Sequence, residues 1–223
     1  SRCDDSEHAG ERNSAHRPPT VRGMSSARRV TVADGVALHL NVWQGGADVP
    51  FLLVHGLASN ARTWERVADR LAGLGHPAAT VDLRGHGLSD KPDDGYTFET
   101  LCADLVAVLD ALDFESAVVA GQSAGGNLAV ELAYRVPDRL AGVAGVDGGA
   151  LEVSRRWPAW ESCLTALAPP RLEGSTARLV EDRIRAAHPD WSDWAIEATM
   201  ANFEHLPEAS FPIAPLVPFI ELH

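Results

Sequence analysis

The residues of this chain best suited to do chemistry lie in one short run, Gly121-Gln122-Ser123-Ala124-Gly125, followed by Gly126. A Gly-x-Ser-x-Gly run presents a nucleophile when a strand precedes it and a helix follows. The tight strand-to-helix turn forces the serine backbone into a strained conformation that only small neighbours tolerate, and Gly121 and Gly125 supply that room. The Ser123 hydroxyl would then stand at a helix N-terminus, where free N–H groups and the helix dipole favour negative charge. A plainer reading is a glycine-rich turn that merely packs closely. A second segment, Val54-His55-Gly56-Leu57, ends another apolar run. Acyl transfer builds a negative oxygen that needs two preorganised N–H donors. Ala124 would give one and Leu57 the other, with Gly56 letting the backbone come close and Gln122 beside the serine. His55 is expected to be structural, because it would sit beside such a hole rather than face Ser123.

These residues need elements to hold them, and the sequence alternates accordingly. Residues 29–33 and 37–43 read as two strands joined by an Asp34-Gly35 turn. Residues 51–54, 78–81, 117–120 and 140–146 read as further strands, the run at 51–54 being apolar on both faces as a buried parallel strand would be. Between them, 60–74, 98–112 and 124–135 carry apolar residues at helical spacing. Ser59 or Asn60 can cap the first helix and Gly75 can end it; Thr97 caps the second. Strands separated by helices of this length mean a parallel sheet with helices on both faces. After Gly149 no strand is evident. Residues 150–205 hold four of the six tryptophans, with helical spacing at 164–167, 177–187 and 193–203, and read as a helical insertion over one end of the sheet. Residues 206–223 hold Pro207, Pro212, Pro215 and Pro218, which suit an irregular tail, and residues 1–23 read as a disordered extension before a core spanning 24–149.

Composition narrows the class. The chain has 223 residues, 45% hydrophobic and 22% charged, with a net charge of −12. Such an acidic chain repels nucleic acid and anionic membrane. No run approaches the roughly 20 apolar residues of a membrane helix, and residues 1–23 lack the apolar stretch of a signal peptide. Cys3, Cys102 and Cys163 fit neither a disulfide framework nor a metal pair, so reduced thiols in a cytoplasmic protein without metal are expected. Cys102, near the apolar face of its helix, reads as a small core residue.

Residues 28–149 resemble the α/β-hydrolase fold, in the group with a helical cap. The residues that carry the resemblance are His55-Gly56, the stretch from Asp82 through Arg84, Gly85, His86 and Gly87 to Asp90, the turn at 121–126, and Val146-Asp147-Gly148-Gly149. The resemblance implies an α/β fold with a doubly wound, mostly parallel sheet. It also implies a cofactor-free hydrolase with a Ser-His-acid triad, acting on an ester, lactone or related acyl bond, with the cap shaping an apolar pocket for a small-molecule substrate. Members with an aspartate nucleophile open epoxides or haloalkanes; Ser123 cannot supply that carboxylate. Asp82 and His86 are expected to shape their loop rather than react. Asp147 is the tentative acid of the triad, with a turn aspartate before Gly148 as the equal alternative. His188, His205 and His223 follow the serine, yet none is well placed as the base. The family's seventh and eighth strands are not found, so the sequence is expected to be incomplete at its C-terminus, with family-like sequence ending near Glu204. A catalytically impaired fragment or a binding protein on the same fold is the alternative in another class. Haloperoxidase-like or carbon–carbon bond hydrolase chemistry would use the same site, and the oligomeric state is left open.

Overall fold

Residues 25–149, 153–168, 172 and 175–203 are described by the computed structural model of the chain. The polypeptide enters through a hairpin of β1 (Ser25–Thr31) and β2 (Ala37–Trp43). Gly35 takes φ +84° in the turn, and the Val32 N–H closes it on the Val36 carbonyl at 2.9 Å. β1 begins at Ser25, four residues before the sequence pattern predicts, because its pairing runs the whole length of β2 from Ser25 opposite Trp43 to Thr31 opposite Ala37. That outer strand is almost wholly exposed, so no apolar alternation marks its start.

Four more strands complete one sheet: β3 (Phe51–Val54), β4 (Ala78–Val81), β5 (Ala117–Gln122) and β6 (Leu140–Val146). Their order is β1-β2-β4-β3-β5-β6. β2 meets both neighbours antiparallel, and the pairs β3–β4, β3–β5 and β5–β6 are parallel. This is the doubly wound, mostly parallel sheet expected. Strand residues alternate between two buried layers. Leu52, Val54, Val81 and Val119 face α2 (Phe98–Ala111) and α3 (Ala124–Arg135), where Leu101, Leu105, Leu109, Leu128 and Leu132 pack on them. Leu53, Ala78 and Ala120 face the opposite layer with Trp64 and Ala68.

Residues 60–74 form two pieces rather than one helix. A 3₁₀ turn, Ala61–Trp64, precedes α1 (Glu65–Gly73). The Asn60 side chain accepts from the Arg62 N–H at 2.8 Å and tightens this entry, while the Trp64 indole N–H donates to the Val54 carbonyl at 3.0 Å. α1 stops before Gly75, as expected, with the His76 N–H on the Leu71 carbonyl and the Gly75 N–H on the Ala72 carbonyl, both at 3.0 Å.

Beyond the sheet come α4 (Val153–Arg156), α5 (Trp160–Leu167), α6 (Ala177–Ala187) and α7 (Asp193–Met200). Among the described residues this segment holds no strand. α5 starts at Trp160, one turn before the predicted start. No described helix is long and apolar enough to cross a membrane. The expected extension, the proline-rich tail, Cys3, His205 and His223 lie outside the described residues. β6 forms an outer strand whose Val143 and Val146 are 40% and 47% exposed.

One buried ion cluster ties the hairpin to the helical layer. Arg84, 1% exposed, gives its Nε and Nη2 to the Asp104 carboxylate at 2.7 and 2.8 Å and its Nη1 to Asp34 at 2.8 Å. The two carboxylates hold the guanidinium charged, well above its ordinary pKa. Arg84→Met strands the Asp104 charge in the core, and urea unfolding is expected to show a loss of about 3–5 kcal/mol.

Candidate active site

Ser123 occupies the junction of β5 and α3, at φ +51° and ψ −119°. A non-glycine residue held there costs about 1–3 kcal/mol, so the surroundings must impose it. They do so through close backbone contact. A methyl group on Gly121 would overlap the Gly125 carbonyl, and one on Gly125 would come within 2.5 Å of the Val54 and His55 carbonyl oxygens. From the other side Gly148 packs so tightly that its methyl would lie 2.6 Å from Ser123 Cα. The Ser123 N–H donates to the Val146 carbonyl at 3.0 Å, and the Ser123 carbonyl accepts from Gly126 at 2.9 Å. The Asn127 side chain accepts from the Gly149 N–H at 3.0 Å and fastens the same loop.

β3 delivers the second half of the site. A methyl on Gly56 would sit 3.1 Å from Ser123 Cβ and would overlap the Gln122 amide oxygen, which places Leu57 beside the serine. Among the described residues, neither the Leu57 nor the Ala124 N–H has a hydrogen-bond partner. Two donors left open beside a half-buried hydroxyl suit an oxygen that becomes negative.

His55 is fully buried and occupied on both ring nitrogens. Its Nδ1–H donates to the Gly56 carbonyl at 2.7 Å, and its Nε2 accepts from the Leu83 N–H at 3.1 Å. Burial pushes its pKa down against the pull of the Asp82 charge. The ring therefore braces β3 on the loop after β4 and has no lone pair for the Ser123 proton. His86 leans on it, ring centroids 5.0 Å apart, and donates from Nδ1 to the Arg84 carbonyl at 3.0 Å. Burial, helped by His55, drives the His86 pKa down to about 3. Asp82 gathers the same loop, accepting from Ala61 N–H at 2.6 Å, Leu88 N–H at 3.1 Å and His39 Nδ1 at 3.0 Å. Burial alone would raise its pKa, but the bond from His39 and the other donors hold it below the ordinary aspartate value.

The remaining candidates are not joined to the serine. Asp147 stands at the end of β6 with φ +49°, exposed, and among the described residues it has no hydrogen-bond or ion-pair partner. His188 ends α6, exposed and stacked on Trp191 with centroids 3.9 Å apart. Among the described residues no cluster of three His, Cys, Asp or Glu could hold a metal ion. Two residues that the sequence offers only as a helix cap, Asn60, and a reduced thiol, Cys163, make wider contacts. Cys163, 2% exposed, packs with Trp157 and Leu167 against Leu57 and Ala58. Asn60, equally buried, donates from its side chain to the Ala198 carbonyl at 2.9 Å and to Asn202. Asn60 is the cap expected of it, but nothing in the sequence marks its contacts with α7 or those of Cys163 with the loop.

A profile of the alpha/beta hydrolase fold matches residues 49–193. The chain belongs to the alpha/beta hydrolase fold family. It is 36% identical over 115 residues to an epoxide hydrolase of Caballeronia sordidicola, covering 51% of this chain and 34% of that protein. It is 37% identical over 122 residues to a rhodomycin D methylesterase of Streptomyces sp. strain C5, covering 51% and 41%. The crystal structure of an E-2-(acetamidomethylene)succinate hydrolase superposes with a TM-score of 0.69 over 89% of this chain and 72% of that one; at 23% identity this shows a common fold. The chain spans between 34% and 41% of the length of those two curated relatives. In this hydrolase-family chain the residue at the β5–α3 junction is Ser123, which presents a hydroxyl there.

The buried histidines give the fold a pH dependence with a definite sign. The unfolded chain protonates its histidines near the ordinary value of 6.5, whereas His86 in the fold does so only at about 3. The unfolded state therefore binds more protons between these values, and stability falls as pH falls through that window. Asp82, with its lowered pKa, adds to the loss below its ordinary value of 3.8. Urea midpoints measured from about pH 7 down to about pH 4 are expected to drop steadily, and His86→Gln is expected to flatten that slope.

Proposed function

We propose that this chain carries the nucleophile and oxyanion hole of a serine hydrolase acting on an ester, lactone or related acyl bond of an apolar small molecule. The observation that carries this reading is the strained Ser123 set beside two N–H groups with no partner among the described residues. In the reaction, Ser123 Oγ attacks the acyl carbon and its proton passes to a general base. The carbonyl oxygen takes up the negative charge and is met by the Leu57 and Ala124 N–H groups, with the N-terminal dipole of α3 behind them. Water then releases the acyl group from the serine, and no cofactor enters either step. Asp147, at the end of β6, serves as the acid that orients the base. Residues 150–205 form the cap, and Cys163, with Trp157 and Leu167 packed on it, supplies apolar wall against Leu57, which favours an apolar acyl or alcohol group. The free thiols of Cys102 and Cys163 suit a cytoplasmic location.

One observation favours a second reading, a small-molecule binding protein on the same fold: among the described residues no histidine is hydrogen-bonded to Ser123. A fluorophosphonate probe separates the two. Stoichiometric labelling that is lost in Ser123→Ala is the expected result for the hydrolase. Folded, unlabelled wild-type protein would sink it in favour of the binding protein.

A further inference from the structure

The loop that offers the Leu57 N–H is poorly secured by its own backbone. Among the described residues, the N–H and C=O groups of Leu57 and Ala58 make no hydrogen bond, and the loop's only backbone order is a local turn at residues 57–58. Ala58 stands at φ +52°, a left-handed conformation that a residue with a Cβ adopts only under constraint. Side-chain packing must therefore fix the loop, and much of that packing comes from the helical segment beyond the sheet.

The segment grips the loop at both ends. At one end, Cys163 on α5 is buried against Leu57 and Ala58, with Trp157 and Leu167 beside it. At the other end Asn60 works in two directions. Its Oδ1 accepts from the Arg62 N–H at 2.8 Å and so starts the 3₁₀ turn, while its Nδ2 donates to the Ala198 carbonyl at 2.9 Å and to the Asn202 side chain. Asn60 is 2% exposed, so withdrawing the α7 end would leave two donors needing new partners. α7 is also fastened from outside the loop. The Trp194 indole N–H donates to Glu65 at 3.3 Å, and the Arg66 guanidinium lies 4.5 Å from the Trp194 ring.

The geometry points to a conditional oxyanion hole: Asn60 and Cys163 are positioning residues through which the seated helical segment holds residues 57–60, and so the Leu57 N–H, in its working conformation. This rests on the reading of Leu57 as an oxyanion donor to Ser123, and it adds that the hole loosens when the segment leaves. Because coupling between two sites is reciprocal, filling the hole must in turn secure the segment.

Hydrogen exchange read by mass spectrometry tests the coupling without any need for turnover. Asn60→Asp keeps the acceptor for Arg62 and removes both donors toward α7. Trp194→Ala loosens α7 without touching the loop. Both variants are expected to speed exchange in residues 193–203 and also at Ala61, Arg62 and Thr63, whose N–H groups are bonded where the loop ends, by about tenfold, with β4 and β5 unchanged. Asn202→Asp, which keeps an acceptor for Asn60, is expected to retain wild-type protection at that end of the loop. Faster exchange in 193–203 with the loop unchanged overturns the proposal, and because Trp194→Ala lies outside the loop this holds even if Asn60→Asp fails to fold. Fluorophosphonate labelling provides the second reading. Trp194→Ala is expected to lower the maximal labelling rate about tenfold while the half-saturating probe concentration stays the same, as misalignment of one oxyanion donor requires. A change in half-saturation alone would show that the segment only holds the probe, and would overturn the coupling. If wild-type Ser123 takes no label at all, the nucleophile reading fails, while the exchange data still decide whether the segment holds the loop.

Discussion

Backbone contacts at Ser123 set the terms for everything around it. The end of β3, the first turn of α3 and the loop after β6 all meet the serine at distances that leave no space for a Cβ at Gly121, Gly125 or Gly148. A strained residue is stable only when several independent elements press on it at once. Here the parallel pairing of β3 with β5 and of β5 with β6 brings those elements to one end of the sheet. The sheet order is thus the means by which a hydroxyl and two open amides come to share one small volume.

A second layer of constraint lies behind the first. His55 joins the end of β3 to Leu83, Asp82 joins Ala61, Leu88 and His39, and Arg84 joins the hairpin turn to α2. Each is buried and hydrogen-bonded, as a polar group in a core must be. Their charge states differ for clear reasons. His55 and His86 are neutral because burial penalises the imidazolium, whereas Asp82 keeps its charge because several donors converge on it. Rigidity of the Leu57 side of the site is therefore supplied partly by polar groups that never face it.

Much of this was legible in the sequence, and what escaped did so for physical reasons. The strand at 51–54 announced itself because a strand buried on both faces reads as a continuous apolar run. The Ser123 turn was visible because only glycine fits at its crowded positions. The start of β1 was hidden since an exposed edge strand needs no apolar alternation, and the break between the 3₁₀ turn and α1 depends on a capping bond that periodicity does not register. The contacts of Asn60 and Cys163 join residues more than a hundred positions apart in the chain, and no local pattern encodes such a pairing. Membership of the hydrolase family was carried by the short glycine-bearing motifs, while the acid and base of a triad, which depend on distant parts of a chain, were not readable from them.

Three of the six tryptophans lie along the seam between the helical segment and the rest of the fold. Trp64 is bonded to the Val54 carbonyl; Trp157 packs on Cys163, with the Arg156 guanidinium 5.1 Å from its ring; and Trp194 rests beside Arg66 on α1. Two of these indoles belong to the helical segment and one to the sheet layer. Lifting the segment would move Trp157 and Trp194 into water and leave Trp64 in its apolar surroundings. The native emission spectrum of the protein is thereby a built-in optical gauge of whether its segment is seated, with an internal reference and no attached dye.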